Sequence, residues 1–364
     1  MTKHMQAKTK TTIPGAIAAL AMLTGCSGGT EPEPLDSGLM ILNIDPFAVT
    51  LSGISSGAYM AQQLHFAHSE RVRGVALIGT GPYDCAQGNL GLALTQCMGH
   101  PAEAPNVEAL IGRAQERAGQ RLLQPLSHLH DDHVWLFHGT EDNTVGEAVF
   151  DSAVQVYEHF IDPARLTVVR QEQTGHLWPT PGYGVDCASS EAPYIGNCNY
   201  DAAGAMLEAL YGFLHDPAES TAQVLPFEQL QAAAPYAEAL AAEGYAYIPK
   251  DCAEGRACSL HISFHGCNQH STAVGDTFAQ ESGLNRWAES NRIVVLYPQV
   301  APSQASPMNP QGCWDWWGYT DEHYATLDGQ QVSAIVQIIN HIAGVDTSAP
   351  EFDEENYRVK EASW

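Results

Sequence analysis

Short apolar runs rich in β-branched residues recur along the chain at 49–51, 72–78, 134–137, 166–170, 260–264 and 293–297. They are too short for helices, and their content of β-branched and apolar residues predicts strands of a buried parallel sheet. Helical periodicity falls between or beside them, at 58–66, 107–118, 203–214 and 331–342. Strands alternating with helices predict an α/β fold, a mostly parallel sheet flanked by helices. The alanine-rich stretch 226–243 reads as a connector plus a helix. Neither half it separates carries enough strands to stand alone, so a single catalytic domain over 39–345 is expected.

The first 25 residues depart from this pattern. Lys3, Lys8 and Lys10 precede an apolar stretch at 13–23 that ends in Leu23-Thr24-Gly25-Cys26. The stretch is too short to span a bilayer and reads as a signal peptide. Its end resembles the lipobox of bacterial lipoproteins, in which Cys26 would be lipidated after cleavage. Residues 26–38 read as a flexible polar tether and 346–364 as an acidic tail. The expected product is exported, either as a cell-surface or periplasmic lipoprotein or in secreted form, touching membrane only through Cys26.

An even set of cysteines remains beyond Cys26, as expected for disulfides in an exported chain. Order along the chain suggests Cys85–Cys97, Cys187–Cys198, Cys252–Cys258 and Cys267–Cys313. No Cys-x-x-Cys pair supports a zinc site. The segment His128-Leu129-His130-Asp131-Asp132-His133 reads as a solvated loop before a strand rather than a metal site. The net charge of −26 disfavours nucleic acid and anionic membrane as partners and suits a protein that stays soluble in salt. A monomer is expected.

The chemistry starts at Gly53-Ile54-Ser55-Ser56-Gly57, between an apolar run and a helical one. That is the context of a nucleophile elbow, with Ser55 as the candidate nucleophile. Downstream, the run 134–137 leads to Glu141 and Asp142, and 166–170 leads to His176. The order serine, acid, histidine is that of an α/β-hydrolase. Asp142 is preferred to Glu141 as the acid, and His176 is the candidate base. One oxyanion donor should be the backbone N–H of Ser56. A His-Gly loop that could supply the second does not precede Ser55; it follows the run 260–264 as His265-Gly266-Cys267-Asn268-Gln269, which nominates the N–H of Cys267. An oxyanion strand after the nucleophile strand implies a circularly permuted α/β-hydrolase.

Three stretches together, 52–60, 265–269 and Asn309-Pro310-Gln311-Gly312-Cys313-Trp314-Asp315-Trp316-Trp317, resemble the poly(3-hydroxybutyrate) depolymerases. Their order resembles the circularly permuted type known from a fungal secreted enzyme, and the resemblance covers residues 40–343. It implies a serine esterase acting on the polyester or its oligomers through Ser55, Asp142 and His176, with Ser56 and Cys267 as oxyanion donors and no cofactor. Many secreted members add a polymer-binding domain, which is not expected here. The substrate is uncharged, so recognition should rest on apolar contact. Tyr59, Trp178, Trp314, Trp316 and Trp317 are the candidate lining residues. Alternatives are a feruloyl, acetyl-xylan or general carboxylesterase, and a surface lipoprotein that binds polymer without catalysis. A Cys267–Cys313 bridge would stiffen the oxyanion loop, so its loss should lower turnover more than loss of Cys187–Cys198.

Overall fold

The structure, a computed structural model, describes residues 37–345. The expected leader, Cys26, the tether up to residue 36 and the acidic tail lie outside the described residues. The strands are β1 (Ile44–Ile54), β2 (Val72–Ile78), β3 (His133–Gly139), β4 (Leu166–Gln171), β5 (Trp178–Thr180), β6 (Val185–Asp186), β7 (Ile195–Asn197), β8 (Val224–Glu228), β9 (Glu243–Tyr247), β10 (Cys258–Phe264) and β11 (Ile293–Tyr297). The longer helices are α1 (Ser56–Ala67), α2 (Val107–Gly119), α3 (Glu147–Phe160), α4 (Ala202–Tyr211), α5 (Leu284–Asn291) and α6 (Gln330–Ile342).

Among the described residues the main sheet has the order β4-β3-β2-β1-β10-β11-β9-β8. Its first six strands are parallel, and each contains one of the six apolar runs. Along these strands side chains alternate between two cores. Val75, Leu77, Leu136 and Ile262 face the layer that includes α1 and α6, whereas Ala76, Ile78, Trp135 and Phe137 face the layer with α4 and α5. Val49, Leu51, Leu260 and Ile262 are fully buried, and each contributes roughly 1.5–3 kcal/mol relative to an exposed side chain.

Two features were not anticipated. The stretch 226–243 is not a connector plus helix from its start: Pro226 to Glu228 complete β8, which pairs antiparallel with β9. A proline is tolerated there because β8 is the sheet edge, where a missing N–H breaks no inner ladder. The small parallel sheet β5-β7-β6 escaped detection because its strands are only two or three residues long. The helix expected over 203–214 stops at Tyr211, where Gly212 turns into left-handed backbone at φ 76°.

The permuted order is visible in the sheet. β10 lies beside β1 in parallel register, with Leu51 opposite Ile262 and Gly53 opposite Phe264. The first and last described segments also meet: Leu42 N donates to Ile342 O at 2.8 Å, and Ser37 Oγ lies 2.7 Å from His341 Nε2. Such a meeting is expected of a permuted chain, whose first and last segments flank the point at which the unpermuted chain would run on. The result is that the C-terminal ends of β1 and β10, distant in sequence, open side by side.

Candidate active site

Ser55 follows the end of β1 and caps α1 with φ 57° and ψ −126°, a backbone conformation rare for any residue but glycine. The turn is possible because its flanks lack side chains. A Cβ on Gly53 would fall 2.3 Å from the carbonyl oxygen of Gly57, and one on Gly57 would fall 2.3 Å from that of Phe264. Ser55 N donates to Ile78 O at 2.9 Å, while Ser55 O accepts from Ala58 N at 2.9 Å and Tyr59 N at 3.0 Å. The residue is thus pinned to β2 on one side and to the first turn of α1 on the other.

β3 and β4 deliver the acid and the imidazole. Asp142 Oδ1 accepts from the amides of Thr144 at 2.8 Å and Val145 at 2.9 Å, and Oδ2 lies 2.7 Å from His176 Nδ1. Asp142 is 3% exposed, whereas Glu141 is exposed, so the geometry joins Asp142 and not Glu141 to the histidine. Burial, the largest influence on the Asp142 carboxyl, pushes its pKa up. The charge and hydrogen bond of His176, the Val145 amide and the charge of His138 outweigh it, so the net shift is downward. An ionised Asp142 holds the proton on Nδ1 and leaves Nε2 as the acceptor. That nitrogen has no hydrogen-bond partner among the described residues. Gly79 (φ 57°) supports the pair from below: a Cβ there would lie 2.9 Å from the His176 ring.

The loop after β10 completes the corner. A Cβ on Gly266 would sit 3.4 Å from that of Ser55, which measures how closely this loop approaches the elbow. Gly266 N donates to Gln269 Oε1 at 2.8 Å, and Gln269 Nε2 donates to the carbonyls of Pro193 at 3.0 Å and Tyr194 at 3.2 Å. His265 Nδ1 lies 2.7 Å from Gly266 O, and its Nε2 accepts from Val300 N at 3.3 Å. The Cys267 amide makes no backbone hydrogen bond among the described residues. The Ser56 amide, in the first turn of α1, has no acceptor within the helix. Gln269 belongs to the expected motif, but its bracing role could not be read without the fold.

Ser55, Ser56, His176 and Cys267 line one cavity of about 580 Å³. Its walls are mostly apolar and include Tyr59, Leu94, Met98, Met308, Trp316 and Trp317. Trp316 stacks on Tyr59 with centroids 4.9 Å apart, and Trp317 meets Trp316 edge-on at 5.5 Å. Two expected lining residues are elsewhere. Trp178 is fully buried in the opposite core, with Nε1 donating to Ser282 O at 2.8 Å. Trp314 is fully buried against Phe264. Both serve packing, and neither lines the cavity.

All four expected disulfides are present: Cys85–Cys97, Cys187–Cys198, Cys252–Cys258 and Cys267–Cys313. The last joins the loop after β10 to the segment carrying Trp316 and Trp317. Cys187–Cys198 also lies close to the site. Cys187 O accepts from Gly175 N at 2.7 Å, immediately before His176, and the His176 amide donates to Ser190 Oγ at 2.8 Å.

The mostly parallel sheet, the elbow at the end of β1 and the late strand β10 beside it define a circularly permuted α/β-hydrolase. No family model matches the chain. It is 34% identical over 334 residues to a poly(3-hydroxybutyrate) depolymerase of Delftia acidovorans, spanning 90% of this chain and 66% of that protein's length. It is 33% identical over 317 residues to a polyhydroxybutyrate depolymerase of Talaromyces funiculosus, spanning 84% and 92%. The chain belongs to the poly(3-hydroxybutyrate) depolymerase family. The fold is similar to the crystal structure of PHB depolymerase from Penicillium funiculosum, with a TM-score of 0.77 and 33% identity over 84% of this chain and 99% of that one. It is similar too to a PHB depolymerase variant complexed with an R3HB trimer, with a TM-score of 0.79 and the same identity and coverage.

Proposed function

We propose that this protein is a serine esterase that hydrolyses poly(3-hydroxybutyrate) or its oligomers through an acyl-enzyme. The observation that carries the reading is the meeting, at one apolar cavity, of a strained serine, an imidazole oriented by a buried carboxylate and two backbone amides. The named activity of the relatives and the trimer bound to one of them support the polyester as substrate.

The residues act in sequence. His176 Nε2 takes the proton of Ser55 Oγ as the oxygen attacks an ester carbonyl carbon. The carbonyl oxygen becomes an oxyanion, stabilised by the N–H groups of Ser56 and Cys267. Collapse of the tetrahedral intermediate breaks the bond to the leaving alkoxide, which takes the proton back from His176. Water, deprotonated by the same nitrogen, then attacks the acyl-enzyme and releases a hydroxyacid or a shorter oligomer, restoring Ser55. Asp142 stays ionised throughout and stabilises the imidazolium that forms twice in each turnover. An uncharged aliphatic ester needs apolar walls and no ion pair for recognition, which suits this cavity.

The test is Ser55→Ala, assayed on amorphous polymer and on a soluble aryl ester, with fluorophosphonate labelling of the parent. The variant should keep its melting temperature, lose nearly all hydrolysis of both substrates and fail to label. Residual activity near that of the parent would sink the assignment.

A further inference from the structure

Trp316 and Trp317 sit on an irregular segment with no strand or helix to fix them. The backbone of that segment is wound around one carboxylate instead. Asp315 is 1% exposed. Its Oδ1 accepts from the amides of Trp317 at 3.2 Å, Gly318 at 2.6 Å and Tyr319 at 2.9 Å. Its Oδ2 accepts from the Thr320 amide at 2.8 Å and the Thr320 hydroxyl at 2.6 Å. A run of backbone N–H groups closing on one anion is a nest, and it sets the path of the chain that forms it.

The nest is anchored to the rest of the fold. Asp315 N donates to Gln331 Oε1 on α6 at 2.7 Å, and Asp315 O accepts from Gln63 Nε2 on α1 at 2.8 Å. Tyr319, whose ring packs 4.8 Å from that of Trp317, donates its hydroxyl to Cys313 O at 2.9 Å and accepts from Asn309 Nδ2 and Gln331 Nε2. All five hydrogen bonds to the buried carboxylate come from residues 317–320, and those from 317–319 fix the backbone at and just after the two tryptophans. Asp315 itself does not line the cavity.

We propose that Asp315 is a positioning residue that sets affinity for chains of several hydroxyacid units by holding Trp316 and Trp317 in the cavity wall. The proposal rests on the esterase reading above. Asp315 lies outside the Ser55–His176–Asp142 constellation, so the wall and the bond-breaking corner can be perturbed separately. A short ester reaches Ser55 without needing the wall, whereas an oligomer lies against it.

Asp315→Asn keeps the shape but lacks the charge and turns one acceptor into a donor facing Thr320. Thr320→Val is the milder change, removing one donor and leaving the carboxylate. Both are compared with Trp317→Ala and the parent on a soluble hydroxybutyrate trimer and on p-nitrophenyl acetate, alongside melting temperatures. Loss of a charge-assisted hydrogen bond corresponds to roughly a tenfold rise in trimer KM for Asp315→Asn, with a smaller rise for Thr320→Val. kcat/KM for p-nitrophenyl acetate should stay within about twofold of the parent in both. Because Asp315 acts in part through Trp317, Asp315→Asn combined with Trp317→Ala should raise KM by less than the product of the two separate effects. An unchanged trimer KM, parallel loss of kcat on both substrates, or multiplying effects in the double variant would each overturn the proposal. A parent that cleaves p-nitrophenyl acetate but not the trimer would instead refute the substrate reading.

Discussion

Ser55 holds a conformation that costs a non-glycine residue on the order of 1–3 kcal/mol, and Gly53 and Gly57 make it sterically possible. This residue was legible because an elbow is local: five consecutive positions carry the strand end, the turn and the helix start. Asp142 and His176 were legible for a related reason, each lying just beyond a strand that sequence alone delimits. The tryptophans were not. Trp314, Trp316 and Trp317 occupy an irregular segment with no period to say which side chain faces in, and only the packing sends Trp314 into the core and its neighbours to the cavity. Asp142→Asn tests the residue at the centre of the pair. Its oxygen would stay on the Thr144 and Val145 amides, turning the NH2 toward His176 Nδ1. The imidazole would then carry its proton on Nε2 and be unable to accept one from Ser55. We expect kcat to fall roughly a thousand- to ten-thousand-fold with little change in KM. A loss below about tenfold would mean that Asp142 does not orient the base.

At the scale of elements, β1, β2, β3, β10 and β11 were readable because burial on both faces keeps inner parallel strands rich in apolar residues. β4 is the other edge, none of its residues fully buried, and was readable from its β-branched Thr167-Val168-Val169 instead. β8 and β9 were not, since an antiparallel edge faces solvent and its apolar signal thins, as in Val224-Leu225-Pro226-Phe227-Glu228, where Leu225 is exposed. Disulfide order was readable, but the work of each bridge was not. Cys187–Cys198 closes the loop behind His176, while Cys267–Cys313 joins the loop after β10 to the aromatic wall. From loop length alone the two contribute about 3 and about 4 kcal/mol respectively. Their catalytic effects should differ more than their stabilities. Replacing Cys187 and Cys198 by alanine should lower kcat on short and long esters alike, because the base loses its backing. Replacing Cys267 and Cys313 should lower kcat and also raise KM for the trimer. Cys252–Cys258, at the start of β10 and away from the cavity, is the control, and its removal should leave both parameters near those of the parent. Steady-state kinetics on the three variants decide this; a Cys187/Cys198 variant as active as the control would show that the loop stands without its bridge.

The whole molecule is welded along the β1–β10 seam, and that seam contains buried histidine. His261 lies fully buried between Thr50 Oγ1 and Ser52 Oγ, each 2.8 Å away. Burial pushes its pKa down to about 3. Burial likewise takes His68 to about 3, with the charge of Arg71 adding to it. His265 falls to about 4, again chiefly through burial, with its hydrogen bond to Gly266 opposing and His270 reinforcing. In the unfolded chain all three would protonate near 6.5. Below that pH the unfolded state binds more protons than the folded one, so stability is lost as pH falls from about 6.5 toward 3–4. At pH 4.5 each site costs roughly 2–3 kcal/mol, and three together rival the 5–15 kcal/mol that holds a typical domain folded. Asp142 does not relieve this fall: its carboxyl lies below its ordinary 3.8, so its contribution is complete above that value and lost only at lower pH. The net charge of −26 works the other way, since protonating surface carboxylates eases self-repulsion, but salt screens that effect and leaves buried sites almost untouched. Urea unfolding at pH 7.5 and 4.5 in about 0.5 M salt separates the two. The parent should lose several kcal/mol between these pH values. His261→Gln, which can still bond both hydroxyls, should be less stable at pH 7.5 yet lose about 2–3 kcal/mol less on acidification. Equal losses in parent and variant would show that His261 already carries its proton in the folded seam.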